Sequence, residues 1–272
     1  MALQSSGTIS FSQVNVELGL SATAVISLND AAVRALFQVG SGGIALSNGY
    51  GKSRVFAANI VISGNVDRYN LYNAVVALGW NQSIMVNISV VINSGVYVYS
   101  STTATPAFVT GTFPAGSNIN IVNNGTIVGM GGAGQPGGGA FLAQTSISLT
   151  NNNVIAGGGG GGGACTASTQ TGYITIYYSG DGGGGGQSGL ANSAGGSRVA
   201  NSTSLGLVGN PGTISGPGAA SGGGGPGGAW GATGSAGIGY TGNGSGGAGG
   251  YCTSGSGYIS WAATGSRYGG II

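Results

Sequence analysis

The stretch Ile147-Ser148-Leu149-Thr150-Asn151-Asn152-Asn153-Val154-Ile155-Ala156-Gly157, which runs on through unbroken glycine to Gly163, decides how this 272-residue chain is read. The same pattern stands 28 residues earlier as Ile119-Asn120-Ile121-Val122-Asn123-Asn124-Gly125-Thr126-Ile127-Val128-Gly129. A fainter copy is Asn210-Pro211-Gly212-Thr213-Ile214-Ser215-Gly216. Each copy is a strand-like or turn element that feeds a glycine segment. Copies of one unit tend to stack side by side and point the same way, which gives the glycine segments a common direction.

Of the 63 glycines, 53 follow residue 110, many in runs such as Gly157 to Gly163, Gly182 to Gly186 and Gly222 to Gly225. Each ordered glycine forfeits roughly 0.5–1 kcal/mol more backbone entropy than alanine, so such a region is disordered unless something offsets the loss. The remaining composition argues for order. Residues 101–272 hold three charged residues (Asp181, Arg198, Arg267) against twelve aromatic ones, whereas flexible linkers and disordered tails are polar and poor in aromatics. Runs of five and seven glycines break the Gly-X-Y period and exclude collagen. The pattern predicts a C-terminal bundle of polyglycine II helices over 116–272, extended threefold chains that bond to their neighbours through N–H and C=O. Each such bond nets about 0.5–1.5 kcal/mol, so a lone helix fails and a bundle succeeds.

If the copies all lead outward, residues 164–181 lie at the far end and 187–209 near the base. The last run then goes outward to Gly250 and places 251–268 at the far end. Cys165 and Cys252 each follow an outgoing run, which makes them a candidate disulfide. Two similar segments would furnish that end: Gly172-Tyr173-Ile174-Thr175-Ile176-Tyr177-Tyr178 and Gly257-Tyr258-Ile259-Ser260-Trp261. Tyr and Trp supply large contact area at low entropy cost, as in antibody loops. Tyr173, Ile174, Ile176, Tyr177, Tyr178, Tyr258, Ile259 and Trp261 are therefore the candidate binding residues. Closure of the bundle end against water accounts for the same residues equally well.

Two further units precede the glycine region. Residues 1–55 contain an apolar, small, apolar triplet three times, at Ile9-Ser10-Phe11, Ile26-Ser27-Leu28 and Ile44-Ala45-Leu46. Ser12 and Asn29 are the expected helix N-caps, with the second helix ending near Phe37 and Gly40 just beyond. Residues 56–115 read as a β-rich spacer with one helix. Leu71, Ala74, Val75 and Leu78 keep helical spacing up to Gly79. Ile84, Val86, Ile88, Val90 and Ile92 alternate as a half-buried strand, and Asn93-Ser94-Gly95 is expected to turn it into a hairpin with Val96–Tyr99. The fold class is thus mainly β and irregular.

Composition restricts the chemistry. The chain has no His and four acids, Glu17, Asp30, Asp67 and Asp181. That excludes a Ser-His-Asp or Cys-His arrangement and His-based zinc sites. Gly51-Lys52-Ser53 imitates the end of a phosphate loop, but Leu46 stands where that motif needs glycine. A net charge of +2 on few groups offers no patch for nucleic acid. Neither a signal peptide nor a membrane-inserted span is expected. No enzyme activity and no cofactor are anticipated.

The residues Ser12-Gln13-Val14-Asn15-Val16-Glu17-Leu18-Gly19, Ile26-Ser27-Leu28-Asn29-Asp30 and Ser47-Asn48-Gly49-Tyr50-Gly51-Lys52-Ser53 resemble a short module of tailed-bacteriophage tail proteins. Asn123-Asn124-Gly125 and Asn151-Asn152-Asn153, each leading into glycine, resemble the distal tail-fibre adhesins of T-even-like phages. The resemblance implies a polyglycine sandwich whose end loops grip a bacterial outer-membrane protein or surface glycan. It implies that the N-terminal module attaches to a tail-tip or tail-fibre protein. It also implies a place at the distal tail tip or fibre of the virion after synthesis in the host cytoplasm. A reducing cytoplasm leaves the pairing of Cys165 with Cys252 open. Two rivals remain: an ice-binding polyglycine protein, which needs a strict Gly-X-X period that this chain lacks, and a purely structural fibre protein.

Overall fold

The computed structural model describes residues 2–171, 174–178, 185–195, 200–201, 204–205, 209–220, 224–237 and 242–272. It divides into two compact units. The first comprises Met1–Asn59, Val75–Ile88 and Phe113–Ile119, and the second Ile60–Ala74, Ser89–Thr112 and Asn120–Ile272.

The first unit opens with two seven-residue helices, α1 (Phe11–Glu17) and α2 (Ala31–Phe37). Ser10, not Ser12, caps α1: the Gln13 amide donates to its hydroxyl at 3.3 Å, and the Ser10 amide donates to the Gln13 side chain at 2.8 Å. This reciprocal box satisfies two otherwise orphaned donors. Asp30, not Asn29, occupies the N-cap of α2 and accepts instead from the Ser27 amide at 2.8 Å. Gln38 ends α2 in the left-handed region at φ 59°, the role expected of a glycine. The third triplet becomes a 3-10 turn, Leu46–Gly49. Leu3, Ile9, Val14, Val33, Leu36 and Phe37 are buried together, with Leu28, Ile44 and Leu46 packed around them. Glu17 closes the module, accepting from the Ser53 hydroxyl at 3.0 Å and the Arg54 amide at 2.9 Å.

The remaining strands are β1 (Val55–Ile62), β2 (Val66–Asp67), β3 (Tyr69–Asn70), β4 (Met85–Ile92), β5 (Tyr97–Tyr99), β6 (Phe108–Val109), β7 (Asn118–Asn123), β8 (Thr126–Val128), β9 (Phe141–Leu142), β10 (Ile147–Asn151) and β11 (Val154–Ala156). A third helix, α3 (Leu71–Ala77), follows β3 as its spacing predicts. The glycine-rich segment then carries β12 (Cys165–Thr171), β13 (Ile174–Tyr178), β14 (Ala200–Asn201), β15 (Ser204–Leu205) and β16 (Gly242–Asn243). The chain ends with β17 (Thr253–Ser254), β18 (Ile259–Ala263) and β19 (Ser266–Tyr268).

Three sheets organise these strands, in the orders β1-β4-β7-β10-β18, β19-β11-β8-β5-β2 and β17-β9-β6-β3. The chain visits the three in rotation, and successive visits pair in parallel. This is a parallel β-solenoid of about three turns. It corrects the expectation that 116–272 folds as a bundle of polyglycine II helices: β7 to β11 and β17 to β19 are strands of solenoid coils. The 28-residue repeat is one coil, since Ser148 lies beside Asn120 and Val154 beside Thr126. The expected hairpin at Asn93-Ser94-Gly95 is likewise a solenoid corner, and β5 pairs in parallel with β8 and β2. Alternation buries one strand face in either arrangement, so it does not distinguish a hairpin from a corner.

Like side chains stack along the solenoid axis. Val98, Ile127 and Ile155 form one fully buried column. Phe108 and Phe141 stack at 4.9 Å and 8°, with Tyr69 against Phe108 at 5.2 Å. Buried Asn123 and Asn151 hold the corners: Asn123 donates to the Asn151 side chain at 2.8 Å, and Asn151 donates to the Thr264 carbonyl at 2.8 Å.

Candidate functional site: the loops beyond the glycine segments

The run Gly157–Gly163 leaves the solenoid from β11 and is bonded on all sides by backbone. Gly158 donates to Gly138 at 2.9 Å, Gly159 to Gln187 at 2.8 Å and Gly160 to Ala232 at 2.9 Å. The same three residues accept from Gly250, Gly132 and Gly228, each at 2.8 Å. Side chains have no room here. A Cβ would lie 2.0 Å from the Gly228 oxygen at Gly159, and 1.8 Å from the Gly247 oxygen at Gly160. Glycine is required by the approach of backbone to backbone, not by turn formation.

The neighbours also fix direction. Gly157 abuts Gly250, Gly160 abuts Gly247 and Gly163 abuts Gly244, so 244–250 runs back along 157–163. The segment 225–228 returns likewise, with Gly225 beside Gly162 and Gly228 beside Gly159. The last run is therefore inward. Residues 251–268 belong to the solenoid, at the opposite end from β12, which corrects the expected outward course.

At the far end, β12 pairs antiparallel with β13 from Ala167↔Tyr178 to Thr171↔Ile174, and with β16 at Cys165↔Asn243. Ile174, Ile176, Tyr177 and Tyr178 are on β13, whereas Tyr173 lies outside the described residues. The antiparallel pair β14–β15 joins this end too: Gly212 abuts Gly186 and Asn210 bonds Gly185 at 2.9 Å, so the chain from 212 to 209 moves away from the solenoid. Sequence reasoning placed 187–209 at the base and missed this pair. The signal was the reversal of direction at Thr213–Gly216, closed by the Thr213 amide on the Gly216 carbonyl at 2.9 Å.

Tyr258, Ile259 and Trp261 are elsewhere. Trp261 lies in register with buried Leu149, and Arg267 with buried Ile155. The Arg267 guanidinium sits 4.8 Å from the Trp261 ring centroid. The two thus cover the end of the solenoid columns, with a cation–π contact between them. Ile259 continues the Ile147 position, and Tyr258 is about half exposed (49%) in a 3-10 turn. The candidate disulfide is not brought together. Cys252 is a buried free thiol beside the inner end of the run. Cys165 follows its outer end, roughly 20 Å of extended chain away. Burial pushes the phenol of Tyr251 above its ordinary pKa. Its ring lies 2.2 Å from where a Gly139 Cβ would stand.

Among the described residues no cluster of acids or cysteines could hold a metal ion, and no helix is long and apolar enough to cross a membrane. The first unit carries a cleft of about 450 Å³ lined by Leu18, Leu20, Leu36, Ile84, Met85 and Pro114.

A rigid solenoid that supports loops on backbone-bonded glycine segments is a scaffold for presenting loops, and comparison with known proteins agrees. The family model of the phage tail fibre adhesin Gp38 matches residues 57–272, and the chain belongs to this family of bacteriophage tail fibre adhesins. Among solved structures it is similar to the crystal structure of the gp37-gp38 adhesin tip complex of the bacteriophage S16 long tail fiber. The identity is 23%, 98% of this chain and 100% of that chain are covered, and the TM-score is 0.52, a likeness of fold. No curated protein matches the chain. Its place is the tail of the virion.

Proposed function

We propose that this adhesin binds the host surface with the loops at the far end of the glycine segments, and that it acts by binding without catalysis. The observation that carries this reading is the position of the β12–β13 hairpin. It stands at the outer end of Gly157–Gly163, whose return neighbours hold it away from the solenoid. Its partner is a bacterial outer-membrane protein or surface glycan. The N-terminal module, residues 1–55, joins the adhesin to a tail-fibre protein. In support, the similar S16 structure is a complex of gp37 with gp38, and residues 1–56 fall outside the family match. The apolar cleft beside Leu20 and Ile84 suits such a docked protein. Trp261 and Ile259 serve the solenoid in this reading, not the receptor.

The test exchanges the two ends. Replacing 166–178 by a short Gly-Ser linker should abolish adsorption of the purified protein to host cells while the melting temperature stays near that of the parent. Trp261→Ala should lower the melting temperature and leave adsorption unchanged. Normal adsorption by the hairpin replacement would sink the proposal.

A further inference from the structure

The outer edge of β13 offers more specific information. β13 ends the sheet ordered β13-β12-β16, and among the described residues no strand lies on its other side. Its five residues, Ile174-Thr175-Ile176-Tyr177-Tyr178, include no charge, proline or glycine. Proteins normally blunt an exposed edge with lysine, proline, a bulge or a very short strand. The neighbouring strands at this end, β14, β15 and β16, are each two residues long and so are blunted by length. β13 carries no such device.

The register fixes which backbone groups face outward. Thr171 pairs with Ile174 across two intervening residues, and a pair closed in that way exchanges its hydrogen bonds across the turn. Hydrogen-bonded and non-bonded pairs then alternate along an antiparallel ladder. Ile174, Ile176 and Tyr178 therefore direct N–H and C=O to β12, while Thr175 and Tyr177 direct theirs away from it. The outer edge presents two donors and two acceptors at a spacing of two residues on an uncharged strand. An extended peptide matches that spacing; a sugar ring does not.

We propose that β13 recognises its receptor by strand addition, pairing at Thr175 and Tyr177 with an extended, uncharged segment of a surface polypeptide. This rests on the assignment of the far-end loops as the receptor-binding end. Main-chain bonds supply affinity in such complexes, and alternate side chains supply selectivity.

The full-length protein tests it. Thr175→Pro removes one outward N–H without breaking a bond to β12, whereas Thr175→Ala keeps that N–H. Thr175→Lys blunts the edge and leaves the backbone intact, which covers the case of a misfolded proline variant. Proline and lysine should weaken binding to host cells by about tenfold or more, and alanine by about twofold or less. Cells stripped of surface polypeptide by protease should lose binding, and cells whose glycans are oxidised by periodate should keep it. Parental binding by both the proline and lysine variants, with binding abolished on replacing 166–178, overturns strand addition and leaves the far-end reading in place. If replacing 166–178 is also silent, both fail. Loss of binding after periodate alone overturns the polypeptide receptor.

Discussion

The solenoid and the glycine segments are ordered by opposite means. In the solenoid, order comes from side chains: Leu149, Ile155, Val98 and Phe141 are fully buried and stacked on their counterparts one coil away. In the run Gly157–Gly163, order comes from the absence of side chains, because every neighbour approaches until its carbonyl stands where a Cβ would be. The first region loses stability when atoms are removed, and the second when atoms are added. The difference explains how one chain tolerates 63 glycines. Their entropy cost is offset where backbone groups pair on several sides at once, and the solenoid supplies the fixed wall on which that pairing starts.

The largest effect should come from adding atoms to the glycine run. Gly160→Val puts three carbons where the Gly247 oxygen lies 1.8 Å from the Cβ position. The backbone on both sides is fixed, so the segment must separate. We expect a loss of several kcal/mol, beyond the usual 1–3 kcal/mol of overpacking, seen as failure to fold or a collapsed thermal transition. A silent Gly160→Val would show that the close approach carries no load. The reverse change belongs to the solenoid. Leu149→Ala should cost about 2–5 kcal/mol through lost burial and the cavity left between Ile121 and Trp261. A denaturant titration with an unchanged slope would measure it. A cost near zero would mean that the column rearranges to fill the gap.

How much of this was legible in the sequence follows from the same contrast. The repeat at an offset of 28 was visible, because one coil stacks like on like, Ile121 on Leu149 and Asn123 on Asn151. Earlier coils were hidden. β5 aligns with β8 at an offset of 29 and β6 with β9 at 33, so no single period spans them. The strand Met85–Ile92 and the helix Leu71–Ala77 were legible from spacing alone. The corner after Ile92 was not, since Asn-Ser-Gly serves a hairpin equally well. The glycine runs announced close backbone packing but not direction. A run without side chains carries no pattern that distinguishes outward from inward, and the misplacement of 251–268 followed from that. Trp261 looked like a contact residue for the same reason: an aromatic that closes a solenoid and one that meets a receptor have the same composition.

The smallest expected effect separates the two regions by charge. The solenoid holds Asp67 at the corner between β2 and β3, and among the described residues the glycine segments hold no carboxylate. Partial burial pushes the Asp67 carboxyl up. The Ser101 hydroxyl at 2.8 Å, the Arg68 guanidinium at 2.9–3.0 Å and the Ser101 amide at 2.9 Å outweigh this, and the net shift is below the usual carboxylate range. A folded pKa below the unfolded one contributes stability above the unfolded value, and that contribution is lost as pH falls through the folded value. Asp67 and Arg68 are partly exposed, so the contribution should be below about 1 kcal/mol. Asp67→Asn should therefore melt slightly lower than the parent at neutral pH, with the gap closing in acid as the parental carboxyl protonates. A gap of equal size at both pH values would assign the loss to the shape of the Ser101 corner instead of its charge. A larger acid effect on the parent than on Asp67→Asn, with binding of the far-end loops to cells unaltered over the same range, would place the pH-sensitive contribution in the solenoid and leave the glycine segments uncharged in practice as well as in composition.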